Sequence, residues 1–121
     1  MYRSMMQMFV KDSVEAVKTY QKAFEAEVLC AYPDENGGYM HSEINAQGQI
    51  LAVSELKSDT AAGNTMQFCV HFGPGCEANV HRAYEVLKQG ALVDVPLGPC
   101  DYSPCMFALT DRFGVSWCVF V

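Results

Sequence analysis

Apolar and polar residues alternate with two different periods at the start of this chain. Residues Met5–Val10 predict a strand, in which neighbouring side chains face opposite ways with a period of two. A helical period follows, opening at Asp12 or Ser13, and Glu15 stands three residues after Asp12 as in a capping box. Residues Glu27–Tyr32 predict a returning strand. The expected inner face of the helix comprises Val14, Val17, Tyr20, Gln21 and Phe24.

The same strand-helix-strand pattern occurs a second time, about 62 residues further along. Residues Gln67–Phe72 predict a strand, and Cys76–Gln89 predict a helix that Gly90 ends, because glycine adopts the left-handed conformation at little cost. A second strand follows this helix. The expected inner face comprises Val80, Ala83, Tyr84 and Leu87. The repeat indicates an internal duplication.

Each copy is followed by two more predicted strands. They are Tyr39–Asn45 and Gln49–Glu55 in the first copy, and Cys105–Thr110 and Val115–Val121 in the second. Residues Pro96–Pro104 are expected to form a loop, and Lys57–Asn64 a linker. The predicted fold class is therefore α+β, with two tandem β-α-β-β-β modules in a single domain. Module one spans about 1–56, the linker about 57–64 and module two about 65–121.

Composition and charge exclude several classes of function. The chain has 121 residues, of which 50% are hydrophobic and 18% charged, which is typical of a folded domain. It has neither a long apolar run nor a secretory signal, so we expect a cytoplasmic protein that binds no membrane and keeps its six cysteines reduced. Its net charge is −6 and its eight basic residues are scattered, which argues against nucleic-acid binding.

Three segments resemble the vicinal oxygen chelate superfamily, and most closely its PhnB-like branch. The segment Val14–Glu27 is similar to that branch's first-helix signature "A-x-x-F-Y-x-x-x-F-G-A-E", Tyr39–Ile44 to its "M-H-A-E-L", and Thr110–Trp117 to its "D-P-F-G-x-x-W". The chain departs from the pattern at Glu25, which replaces a glycine, and at Arg112, which replaces a proline. The resemblance covers nearly the whole chain.

This resemblance implies a glyoxalase-like fold and a homodimer. Each module would be a curved mixed sheet with its helix on the convex face, and the two concave faces would form a cleft. Metal-dependent members place one ligand on each of four strands, and the motifs align those positions with Met5, Glu55, Gln67 and Cys118. Glu55 and Gln67 fit as metal ligands, whereas thioether and thiol are soft donors that do not. A divalent metal is therefore an open alternative that the sequence does not favour.

Alternation along the strands sorts the candidate site residues onto the cleft side. Among them, His41 and Glu43 share one strand face, so the carboxylate can orient the imidazole as a proton acceptor. We take Glu55 and His41 as candidate catalytic residues. The candidate substrate-binding residues are Gln7, Phe9, His41, Glu43, Gln67, Cys69, His71 and Cys118.

The functional prediction is binding of a small organic molecule in the cleft without a complete set of the superfamily's metal ligands. The first alternative is a metal-dependent lyase, isomerase or dioxygenase of the glyoxalase type. The second is a dimeric scaffold without small-molecule chemistry. The sequence does not indicate a substrate, because one fold in this superfamily hosts many reactions.

Overall fold

The computed structural model describes residues 1–59, 63 and 65–121. The chain divides into two compact units, Met1–Thr60 and Ala61–Val121, each of which is described by itself. The predicted linker Lys57–Asn64 lies in part outside the described residues.

The first unit is a four-stranded mixed sheet with one helix. Strands β1 and β4 are parallel, the other pairs are antiparallel, and the strand order is β1-β4-β3-β2. The elements are β1 (Met6–Val10), α1 (Ser13–Phe24), β2 (Glu27–Pro33), β3 (Tyr39–Ala46) and β4 (Gln49–Glu55).

Helix α1 buries one stripe against one face of this sheet. The predicted inner residues Val17, Tyr20 and Phe24 are buried, each 2% exposed or less. Val14 and Gln21 are only half-buried, and Ala16 and Ala23 are buried in their place. The stripe is therefore rotated from the prediction, because small alanine side chains also occupy the line of closest approach to the sheet.

The second unit repeats the first in topology. Its strand order is β5-β8-β7-β6, again with one parallel pair, β5 with β8. The elements are β5 (Phe68–His71), α2 (Glu77–Leu87), β6 (Leu92–Cys100), β7 (Ser103–Thr110) and β8 (Ser116–Phe120). The predicted fold class, two tandem β-α-β-β-β modules, is confirmed.

One predicted loop of the second unit is wrong. Strand β6 continues through the expected loop Pro96–Pro104 as far as Cys100, and β7 begins at Ser103. β6 is an edge strand whose pairing with β7 shifts register on both sides of Gly98. Prolines are tolerated on an edge strand because one side of its backbone has no ladder partner.

Trp117 anchors the core of the second unit beneath α2. Its side chain is fully buried, and its ring meets Phe68 edge to face at a centroid distance of 5.6 Å. Val80 and Leu87 of α2 are buried with it, as their helical spacing predicts.

Among the described residues, no helix is long and apolar enough to cross a bilayer.

Candidate functional site: a charged cluster on the first sheet

One row of side chains crosses all four strands of the first sheet on the face opposite α1. Strand register aligns Gln7 of β1 with Ala52 of β4, Ala52 with Glu43 of β3, and Glu43 with Cys30 of β2. The neighbouring residues on these strands, such as Ile44, are buried on the helix side. Alternation therefore brings Glu43 and Cys30 side by side.

Glu43 is the centre of a hydrogen-bonded cluster. It is only 7% exposed. Arg3 donates to both carboxylate oxygens, from Nη1 to Oε2 at 2.8 Å and from Nη2 to Oε1 at 2.9 Å. His41 Nε2 lies 3.0 Å from Oε1. A bidentate arginine–carboxylate pair of this kind fixes the relative orientation of the two side chains and is stronger than a hydrogen bond between neutral groups.

These contacts decide the protonation states of the cluster. The hydrogen bonds from Arg3 and then from His41 outweigh the effect of burial and lower the pKa of Glu43 to about 2. An ionised carboxylate only accepts hydrogen bonds, so His41 must carry its proton on Nε2. In neutral His41 the lone pair of Nδ1 then stays available to accept a proton or a hydrogen bond.

Two exposed aromatic side chains lie on the same face of the sheet as the charged cluster. Phe9 is 61% exposed and Tyr32 53% exposed. Tyr32 pairs with His41 across β2 and β3, and Phe9 pairs with Ser54 across β1 and β4. Gln7 Nε2 donates to Ser54 Oγ at 3.2 Å. The predicted residues Gln7 and Phe9 of β1 and His41 and Glu43 of β3 thus lie on one sheet, with β4 between their two strands.

Cys30 completes a group of three metal-ligating side chains. One donor atom from each of Cys30, His41 and Glu43 lies within 4.8 Å of the other two. Sequence reasoning missed both Cys30 and Arg3. The only sequence signal for Cys30 is its position on a strand next to His41 and Glu43, and Arg3 precedes the first strand altogether.

The structure gives Glu55 a different environment from the one expected. Both of its oxygens bind the start of α1: Oε1 accepts from Ser13 N at 2.9 Å and Ser13 Oγ at 2.7 Å, and Oε2 accepts from Asp12 N at 3.0 Å. Burial opposes ionisation of Glu55, but these hydrogen bonds outweigh it and lower its pKa. Glu55 therefore stabilises the N-terminus of α1, where a negative charge is favoured.

The expected capping box at Asp12 is wrong for the same reason. Asp12 adopts a left-handed conformation, with φ 64°, and its side chain makes no capping hydrogen bond. Glu55 supplies the acceptors instead. Gly38 allows this approach, since a Cβ at that position would lie 2.6 Å from Glu55 Oε1.

The remaining predicted residues lie on the second sheet, except Gln67, which immediately precedes β5. Gln67 Nε2 donates to Ser116 Oγ at 3.3 Å, and Cys69 is in register with Cys118. His71 stacks on Phe120 at a centroid distance of 4.5 Å. Burial raises the pKa of the Cys118 thiol. The face opposite α2 thus presents thiol and aromatic groups.

Structural comparison identifies the fold. The PhnB protein from Bacillus cereus, a putative 3-demethylubiquinone-9 3-methyltransferase by its description, superposes with a TM-score of 0.81 at 22% identity, over 99% of this chain and 98% of that one. The chain has the glyoxalase-type fold of the vicinal oxygen chelate proteins. Protein PA1353 from Pseudomonas aeruginosa matches with a TM-score of 0.79 at 20% identity, over 99% and 97% of the two chains.

A third structure with this fold carries a metal. The E126Q mutant of the fosfomycin resistance protein FosX from Listeria monocytogenes, complexed with Mn(II) and 1S,2S-dihydroxypropylphosphonic acid, has a TM-score of 0.67 at 16% identity, over 98% and 87% of the two chains. No protein-family model and no curated protein matches the present chain.

The four residues that the motif resemblance assigns to metal-ligand positions do not fit such a metal. Met5 and Cys118 offer soft sulfur donors, whereas Mn(II) prefers oxygen and nitrogen donors. Glu55 has both oxygens engaged by the start of α1. Of the four residues, Gln67 alone retains a suitable donor. These four residues therefore do not support metal-dependent catalysis at these positions.

Proposed function

We propose that the chain binds a small organic molecule on the first sheet, at the cluster of Arg3, His41 and Glu43. The observation that carries this proposal is an almost buried, ionised carboxylate held by Arg3 next to exposed aromatic side chains. Polar groups converging beside apolar walls are typical of small-molecule sites.

The chemistry of the cluster suggests what such a molecule contains. Arg3 uses one N–H from each of two nitrogens for Glu43, and its side chain is still 48% exposed, so further donors face outward. His41 is 34% exposed in its side chain and offers the Nδ1 lone pair. Phe9 and Tyr32 provide flat apolar surface. A ligand with an aromatic or apolar body and an acceptor group for Arg3 matches this arrangement.

Ligand screening by thermal shift, followed by calorimetric titration of any hit, tests the proposal. A ligand at 100 times its dissociation constant should add about 2.7 kcal/mol to the free energy of unfolding. We expect Arg3→Gln and Phe9→Ala each to weaken binding at least about tenfold, which corresponds to roughly 1.4 kcal/mol. Lys18→Gln is the matched control, because Lys18 is an exposed cation on helix α1, on the other side of the sheet. Ligands that bind wild type, Arg3→Gln and Phe9→Ala with the same dissociation constant would contradict the proposed site.

The second candidate function is a metal-dependent lyase, isomerase or dioxygenase of the glyoxalase type. It is favoured by the FosX structure, which is complexed with Mn(II). Elemental analysis of wild type and Glu55→Gln, prepared side by side in metal-supplemented medium, distinguishes the two functions. One equivalent of metal that is lost in the variant would favour the enzyme.

We also propose that the protein is a cytoplasmic homodimer. All six cysteines are free thiols, which suits a reducing compartment. Each sheet has an edge strand with exposed apolar residues: Leu29 of β2 is 49% exposed and Leu92 of β6 is 75% exposed. Exposed apolar edges of this kind favour pairing with a second copy.

A further inference from the structure

We propose that Cys30, His41 and Glu43 form a zinc-binding site on the first sheet. None of the three occupies a position of the superfamily's four-ligand metal set, which falls at Met5, Glu55, Gln67 and Cys118. Thiolate, imidazole and carboxylate are the three donor types that bind Zn²⁺ in proteins. The proposal does not depend on the organic ligand, because metal binding is measured in its absence.

The geometry of the three donors is close to that of a tetrahedral site. Ligand atoms bonded to tetrahedral zinc at about 2.0–2.3 Å stand roughly 3.3–3.8 Å apart. His41 Nε2 and Glu43 Oε1 are already 3.0 Å apart, and all three donors lie within 4.8 Å of one another. Small side-chain rotations therefore suffice to close the group around one ion.

The backbone already orders the three donors. Cys30 and Glu43 are register partners on neighbouring antiparallel strands, and His41 is two residues from Glu43 on the same face. Two strands of one sheet thus supply the whole site. A site built on strands is positioned more precisely than one built on loops.

Arg3 would not bind the metal itself but would hold the ligating carboxylate of Glu43 in place by hydrogen bonding. It donates to Oε2 of Glu43 from Nη1 and to Oε1 from Nη2; the bond to Oε2 can stay while Oε1 exchanges Nη2 for the metal. Hydrogen bonds of this kind to a ligating carboxylate orient it.

The number of protons released on zinc binding follows from the protonation states of Cys30, His41 and Glu43. The zinc ion replaces the proton that lies between His41 Nε2 and Glu43 Oε1. That proton moves to Nδ1 of the same imidazole ring, which stays neutral. The Cys30 thiol loses its proton to solvent, so one proton is released per ion bound. Affinity should therefore rise with pH. Three protein ligands leave one of the four positions of zinc open for water or for a polar group of a ligand.

Titration of the full-length, reduced protein with Co²⁺ and then Zn²⁺ tests this site. Co²⁺ in a tetrahedral site with thiolate absorbs strongly in the visible range and shows a thiolate-to-cobalt charge-transfer band in the near ultraviolet. We expect one equivalent of Co²⁺ to produce both, and Zn²⁺ to displace it. Cys30→Ser should abolish the charge-transfer band. His41→Gln should weaken binding by more than the roughly 10- to 100-fold that is typical of losing an outer-shell partner.

Cys69→Ser is the matched control, because Cys69 is an exposed thiol on the second sheet. The proposal holds if the band survives in Cys69→Ser and disappears in Cys30→Ser. It is overturned if wild type shows no band, if Cys30→Ser keeps it, or if Cys69→Ser loses it. Circular dichroism confirms that each variant is folded. If Cys30→Ser does not fold, the loss of affinity in His41→Gln decides the question.

Discussion

Arg3 and Glu43, 40 positions apart in the sequence, are joined by two parallel hydrogen bonds of 2.8 and 2.9 Å. The pair ties the segment before the first strand to the third strand of its sheet. It also places a fixed positive charge beside the imidazole of His41. Arg3 is thus part of both the stability of the first unit and the chemistry of its candidate site.

The first prediction concerns stability in acid. The pKa of Glu43 falls from 4.5 to about 2 on folding, so the unfolded chain takes up the proton first as the pH drops. The contribution of the ion pair is therefore complete above about pH 4.5 and is lost as the pH falls towards about 2. We expect Glu43→Gln to show a flatter dependence of unfolding free energy on pH across that window, measured by urea unfolding.

Glu15→Gln is the control for this measurement, because Glu15 pairs with Lys18 on an exposed helix surface. Its profile should follow that of wild type. Equal slopes for wild type and Glu43→Gln would show that the two hydrogen bonds do not shift the titration of Glu43.

The second prediction concerns the cap of α1. Replacing Glu55 with glutamine turns one of the two acceptor oxygens into a donor that faces the N–H of Asp12 or Ser13. We expect Glu55→Gln to lower the free energy of unfolding by about 1–3 kcal/mol. Thermal and urea unfolding should show this without any metal or ligand. Glu27→Gln, an exposed carboxylate on an edge strand, is the control. A change below about 0.5 kcal/mol would contradict the capping role.

The alternation of the strands was enough to predict most of the fold. The period of two along β1 correctly placed Met8 and Val10 in the core and left Gln7 and Phe9 outside it. The same alternation placed Glu55 on the face of Leu51 and Val53, which are buried beneath the helix. This face assignment agrees with the observed position of Glu55 beside the start of α1. The motif resemblance instead suggests a metal-ligand position for Glu55, on the opposite face of the sheet.

Cys30 and Arg3 could not be placed from the sequence for different reasons. The register between β2 and β3 shifts between Tyr32 and Pro33, next to the turn, so the partner of Cys30 does not follow from counting back from the turn. Arg3 belongs to no helix or strand, and its contact with Glu43 is long-range. Periodicity carries no information about either contact.

The third prediction concerns the core of the second unit. Trp117 Nε1 donates to Asp111 Oδ2 at 2.9 Å, and Asp111 is only 4% exposed. Trp117→Phe keeps most of the apolar volume but removes this donor, so it should cost about 1–3 kcal/mol. Trp117→Ala also leaves a cavity and should cost roughly 3–5 kcal/mol. Urea unfolding of both variants measures the two losses. Equal costs would mean that the apolar packing lost in Trp117→Ala adds nothing to the cost of losing the hydrogen bond, which would contradict the role of Trp117 in the core.

The last prediction concerns assembly. Strands β2 and β6 each lie at one edge of their sheet, and apolar side chains on both are exposed, including Leu29 and Leu92. Exposed edges and apolar patches favour association unless charge or proline blocks them. Strand β6 contains Pro96 and Pro99, which cannot donate to a neighbouring strand, so pairing there depends on side chains more than on backbone.

Sedimentation equilibrium should show a dimer at micromolar concentration, for which two-fold symmetry is the usual arrangement. Leu29→Lys and Leu92→Lys each put a charge into one of the two apolar edges, and the variant at the true interface should raise the dimer dissociation constant at least about tenfold, or roughly 1.4 kcal/mol. Gln89→Lys, which adds the same charge on an exposed position after α2, should leave the constant unchanged. A monomer in wild type would refute the dimer. A dimer that both leucine variants leave intact would refute pairing through these edges, because a lysine buried without a partner at an interface is strongly unfavourable.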